Sequence, residues 1–214
     1  DEIVLVNGLV SRTFRVAPNG ATVAFDNLMT GASILRGVKP EARVSIDGQA
    51  YDVGGLNGQP DYAYLQPAWL EKMTADPGAF QCVGFDAGAT EERFPWKHVR
   101  HAADLPWPAP GASVVFHYVP PAGKLGGLVL SVHYEIYDGI PLVAKWFALE
   151  NSSGQPITLD SFANEILAVV ESESVVDSRE QWEGPNLYVE SDYAFHGMDA
   201  MTGNRTTQWM PDPQ

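Results

Sequence analysis

Turn-forming dipeptides recur along this chain at short intervals, with short runs of β-branched and aromatic residues between many of them. Asn7-Gly8, Asn19-Gly20, Thr30-Gly31, Asp47-Gly48, Asn57-Gly58, Asp138-Gly139 and Ser153-Gly154 each offer a glycine where the backbone can turn left-handed. Residues 3–6, 22–25, 43–46, 114–119, 128–137, 142–149 and 157–162 have strand composition. Strands separated in this way build antiparallel sheets, so an all-β sandwich or barrel is expected. Helical periodicity is scarce. Residues 67–73 fit one short helix, with Pro67 at its first position and Trp69, Leu70 and Met73 as its apolar side. Residues 93–111 form a long connection containing Pro95, Pro106, Pro108 and Pro110. With no internal repeat and no low-complexity linker, residues 1–214 are expected to form a single β-sandwich domain.

The composition supports a sizeable core, with 45% hydrophobic against 19% charged residues. Thirteen Lys and Arg against 27 Asp and Glu give a formal charge of −14. Phosphate backbones and anionic lipid surfaces need clustered cations, so nucleic acid and membrane are poor partners. A neutral or cationic ligand suits this charge, and carbohydrate is the obvious neutral class. No run approaches the roughly 20 apolar residues that span a bilayer. Cys82 is the lone cysteine and forms no internal disulfide; its neighbours Phe80, Val83 and Phe85 suggest a buried, inert thiol. The chain begins Asp1-Glu2 rather than with Met, as after removal of a signal peptide, so a secreted or bacterial periplasmic location is expected.

Residues 131–148 present a choice of register. A two-residue turn at Asp138-Gly139 pairs Tyr137 with Ile140, mixes His133 and Glu135 with Leu142, Ala144 and Trp146, and sets Lys145 beside Val132 and Tyr134. A three-residue loop with a bulge at Gly139 pairs Ile136 with Ile140. It gathers Val132, Tyr134, Ile136, Ile140, Leu142, Ala144 and Trp146 on one face and leaves a polar strand face with His133, Glu135 and Lys145. The second segregates apolar from polar residues better and is the expectation, with Glu135 and Lys145 as partners.

The run from His133 through Tyr-Asp-Gly-Ile-Pro to Trp146 and Asn151 resembles a strand pair in the N-terminal β-supersandwich of glycoside hydrolase family 36 and related α-galactosidase-like enzymes. Asn7 to Phe14, Thr30-Gly31, Leu35-Arg36, Pro40-Glu41 and Gly54-Gly55-Leu56 are similar to the opening strands of such a domain, so the likeness covers residues 3–170. It implies a galactose-mutarotase-like supersandwich followed by a catalytic (β/α)8 barrel on the same full-length chain. In that family the catalytic aspartates belong to the barrel, so the resemblance implies no catalytic residue and no cofactor here. The ending from Gly203 to Gln214, with Trp209, suggests that the natural coding region continues. A homo-oligomer is a further expectation of this reading.

Several constellations could carry chemistry. Sugars stack on aromatic planes and are oriented by a few polar groups. Trp96, His98, Arg100, His101 and Trp107 on the Pro-rich connection are therefore the carbohydrate-binding candidates, though such a loop equally suits packing on the sandwich or a neighbouring domain. Trp182 and Trp209 could likewise cover a domain contact. His133 and Glu135, two residues apart, share a strand face near His117, and an acid and base so placed would suit mutarotase chemistry. A structural polar cluster is the simpler reading. Glu91-Glu92, the only adjacent glutamates, read as a solvated turn. His98, His101, His117, His133 and His196 lack metal-ligand spacing on a helix, so no metal is expected. A free-standing carbohydrate-binding module and a mutarotase-like isomerase remain the alternatives to the glycosidase domain.

Overall fold

A computed structural model describes residues 2–60, 64–101, 104 and 106–170. Trp182, His196, Trp209 and the stretch from Gly203 to Gln214 lie outside the described residues. In chain order the strands are β1 (Glu2–Val6), β2 (Val10–Arg15), β3 (Ala21–Asn27), β4 (Ala32–Ser33), β5 (Leu35–Gly37), β6 (Ala42–Ile46) and β7 (Gln49–Val53). A single-turn helix α1 (Pro67–Leu70) precedes β8 (Gln81–Ala89), β9 (Gly111–Val119), β10 (Leu128–Tyr137), β11 (Val143–Asn151), β12 (Leu159–Ala163) and β13 (Ala168–Val169). The fold is an all-β sandwich of antiparallel sheets, ordered β1-β2-β3-β4, β11-β10-β9-β8, β12-β6-β7 and β13-β5.

Local sequence explains much of this. Asp47 and Gly48 have φ of 50° and 76° between the paired residues Ile46 and Gln49, the two-residue turn that matches strand twist. Pro67 opens α1, whose Trp69 and Leu70 pack with buried Met73, Val23, Val38 and Leu56 in a small satellite core. In the main core, Val114, Phe116 and Tyr118 of β9 and Leu130, Val132, Tyr134 and Ile136 of β10 meet Leu5, Val10, Phe14, Val44 and Val53 from the facing layer. Phe14 links the layers, its ring 4.7 Å from Tyr134 and 5.1 Å from Phe116. Cys82 is half-buried at the margin of this core, and burial raises its thiol pKa.

The core also holds charge. Side chains alternate along a strand, so Arg12 points inward with Val10 and Phe14 and is only 2% exposed. Its guanidinium forks onto Glu165 at 2.7 and 3.2 Å and donates to Thr22 Oγ1 at 2.9 Å. Buried Glu41 accepts from the Thr22 N–H at 2.5 Å, the Thr22 hydroxyl at 3.1 Å and the Tyr134 hydroxyl. Lys145 donates to Glu165 Oε1 at 2.8 Å and to the Glu41 carbonyl. Two cations thus meet two carboxylates, which makes burial tolerable. Burial opposes the Arg12 charge, but Tyr134, Glu165 and Glu41 outweigh it and hold its pKa above the ordinary range. For Lys145 burial prevails over the two glutamates and its pKa falls.

This cluster corrects the expected hairpin. Ile136 pairs with Val143 and Tyr134 with Lys145, not Ile136 with Ile140. Residues 138–142 form a longer loop, tied down by the Asn7 side-chain amide donating to the carbonyls of Tyr137 and Ile140, each at 2.7 Å. Lys145 consequently lies inward with Val143, Phe147 and Leu149, while His133 and Glu135 face outward with Ala144 and Trp146. Lys145 does not share the strand face of His133 and Glu135. Apolar segregation pointed to the other register because the buried partners of Lys145 come from distant segments.

Candidate functional site

The outward face of the β8–β11 sheet carries a cleft of about 380 Å³. Its lining includes Asp86, Ser113, His133, Glu135 and Trp146 from the four strands, with Glu91, Glu92 and Arg93 from the connection after β8. His133 and Trp146 are register partners, and their rings stack at 4.9 Å with 13° between planes. The Arg93 guanidinium sits 4.2 Å from the Trp146 ring centroid, a cation–π contact that ties the connection to the sheet.

Glu135 is buried although it faces the cleft. The Tyr137 hydroxyl donates to its Oε2 at 2.6 Å, the Glu91 N–H donates to its Oε1 at 3.4 Å, and Arg93 Nε lies 3.5 Å away. Arg93 also donates to the Tyr137 hydroxyl at 2.9 Å. Burial and the bond to Glu135 push the Tyr137 pKa up to about 12. The pKa of His133 is lowered, first by burial and then by nearby His117, so the ring is neutral at pH 7. A carboxylate already bonded three ways is poorly placed as a free general base, which weighs against mutarotase chemistry.

His117 joins Ser131 Oγ, 3.0 Å from its Nδ1, to Asp86 Oδ2, 2.8 Å from its Nε2. These are the residue types of a hydrolytic triad. However, β10 is paired on both edges around Ser131, which commits the local amides to the sheet and leaves none aimed at an oxyanion. The line acts as a polar cross-strand tie.

The aromatic candidates of the connection gather beside the cleft. Phe94 lies 5.1 Å from Trp107, Trp96 lies 5.8 Å from Trp107, and His98 meets Trp96 edge-on at 5.6 Å. Arg93 connects this cluster to Trp146 through its 5.9 Å approach to Phe94. Trp96 and Trp107 are half-buried within it, whereas His98, Arg100 and His101 are exposed. The buried Trp107 indole N–H has no hydrogen-bond partner among the described residues. None of these five residues lines the cleft, and Lys145 is on the other side of the sheet. Sequence reasoning missed Asp86, Trp146 and the role of Glu91, Glu92 and Arg93. Two glycines weaken the strand signal around Asp86, and Trp146 faces outward only in the rejected parity.

Among the described residues no group of three or more His, Cys, Asp or Glu is arranged to hold a metal, and no helix is long and apolar enough to cross a membrane. Comparison with protein-family models, with curated proteins and with solved structures finds no match for this chain.

Proposed function

We propose that this chain is a non-catalytic, N-terminal β-sandwich domain of an exported α-galactosidase-like glycoside hydrolase, and that it binds carbohydrate in the cleft of the β8–β11 sheet. The observation that carries the binding reading is the cleft itself, where indole, imidazole, guanidinium and carboxylate groups surround a space of about 380 Å³. Small-molecule sites fall in the range of about 300–1,000 Å³ and combine aromatic walls with a few orienting polar groups. Glu91 and Glu92 at the rim suit sugar hydroxyls as donors, and a strongly acidic chain disfavours anionic ligands. The glycosidase context rests on the likeness of residues 133–151 to the family's strand pair, and a barrel domain of the same full-length chain would be its partner.

Titration of the isotope-labelled chain with galactose and short α-galactosides tests the binding. The expected result is a saturable shift of the Trp146 indole and His133 ring signals, weakened about tenfold or more by Trp146→Ala. Sugar titrations that leave both side chains unmoved, or that shift only the Trp96–Trp107 cluster, would refute the assignment of the cleft.

A further inference from the structure

The β8–β11 sheet ends on one side at β8, which pairs only with β9 among the described residues. The beginning of that edge is covered. The Phe80 N–H donates to the Asp52 carbonyl at 2.8 Å, and the Cys82 N–H donates to Asn19 Oδ1 at 2.7 Å. Beyond Cys82 the strand is open: Val83 is 62% and Phe85 44% exposed, and Asp86, Ala87, Gly88 and Ala89 are exposed as well. Asp86 is the sole charge in Gln81–Ala89, and the strand contains no Lys, Arg or Pro. Proteins protect edge strands with charge, proline, bulges or brevity; β8 has an irregularity at Val83 and the single charge of Asp86, but from Gly84 to Ala89 it pairs regularly with β9 and leaves a template for another strand. The remaining edges are two to five residues long, or carry Lys145 and Glu150 in the case of β11.

We propose that β8 is an interface between two copies of this chain, paired antiparallel across a two-fold axis at Phe85. With the axis at Phe85 the open residues 83–87 face one another, and Cys82, whose N–H is taken by Asn19, stays outside the pairing. This register sets Phe85 against its counterpart, Val83 against Ala87, and Asp86 against Gly84. No carboxylate then faces another, whereas an axis at Asp86 would oppose two of them directly. Gly84 leaves room for the facing Asp86 side chain, since a Cβ built there meets nothing within 4 Å. The ring of Phe85 lies 6.1 Å from core Phe116, so the aromatic pair would continue the apolar layer across the axis. Each copy carries −14, and salt screens that repulsion. Association therefore strengthens with ionic strength, opposite to an interface held by ion pairs.

Sedimentation equilibrium of the full chain from about 10 µM to about 1 mM is the primary test, because a single-strand interface is small and its affinity modest. A reversible dimer is expected, tightening several-fold between low and high salt. Val83→Lys, at a solvent-facing position that folding tolerates, should weaken it about tenfold or more. Phe85→Cys in a Cys82→Ala background should form a disulfide-linked dimer on mild oxidation, because facing residues of an antiparallel pair lie within disulfide reach. A chain that stays monomeric at the highest concentration overturns the proposal. So does a dimer that neither change affects, or β8 amides that resist hydrogen exchange in the monomer, which would mean the edge is covered within one chain.

Discussion

Glu41→Gln removes the charge of the buried carboxylate while the amide oxygen can still accept the Thr22 N–H bond. The wild-type cluster balances Arg12 and Lys145 against Glu41 and Glu165, with Arg12 and Glu41 each 2% and Lys145 6% exposed. The substitution leaves one cation in excess. It removes the ion pairs at 3.5 Å to Arg12 and 3.9 Å to Lys145 and puts an amide N–H donor where Oε2 had accepted from the Tyr134 and Thr22 hydroxyls, which must turn to accept instead. Removing one partner from a buried ion pair costs about 3–5 kcal/mol, and the retained Thr22 bond places the expectation at about 3 kcal/mol. For a domain of this size that lowers Tm by about 10 °C. Lys145 supplies a second signature. Its folded pKa already lies below the ordinary lysine value, so the unfolded chain binds more protons between the two values and stability rises with pH across that window. Without Glu41 the folded pKa drops further and the window extends toward neutral pH. The deficit of the variant should therefore be largest near neutral pH and shrink toward about pH 9–10, below the ionisation of unfolded tyrosine. Urea unfolding across this range measures both effects. A loss under about 1 kcal/mol, or a deficit that does not shrink as pH rises, would refute this account of the cluster.

Glu165 has a lowered pKa because Arg12 and Lys145 outweigh its burial, so it contributes stability above the usual glutamate range that is lost as pH falls through its folded value. Glu165→Gln should flatten this acid limb in a thermal-melt series, and an unchanged limb would assign acid sensitivity elsewhere. Gly54 sits at φ +61°, where an added Cβ would lie 2.4 Å from the Gly20 carbonyl oxygen and 2.8 Å from the Tyr118 ring. Gly54→Ala should cost at least about 2 kcal/mol, against about 1 kcal/mol for Gly48→Ala in open space at φ +76°. Equal losses in denaturant would show that backbone strain alone governs both.

The sequence by itself determined the class of fold, because turn chemistry and strand propensity act over a few residues. Asp47-Gly48 makes the turn its residue types demand, and Pro67 starts the only helix among the described residues. His133 and Glu135 had to share a face, since that follows from strand alternation alone. Tertiary structure decided the rest. Whether Trp146 or Lys145 joins that face depends on the register of β11. Asn7, Glu41 and Glu165 hold that register from segments 138, 104 and 20 residues away from Lys145. A local rule that sends charge to water cannot anticipate Arg12 and Lys145 inside the sandwich, because their burial is tolerable only where distant carboxylates converge on them. The cleft has the same origin, as Arg93 reaches Trp146 and Glu135 only after the Pro-rich connection folds back over the sheet.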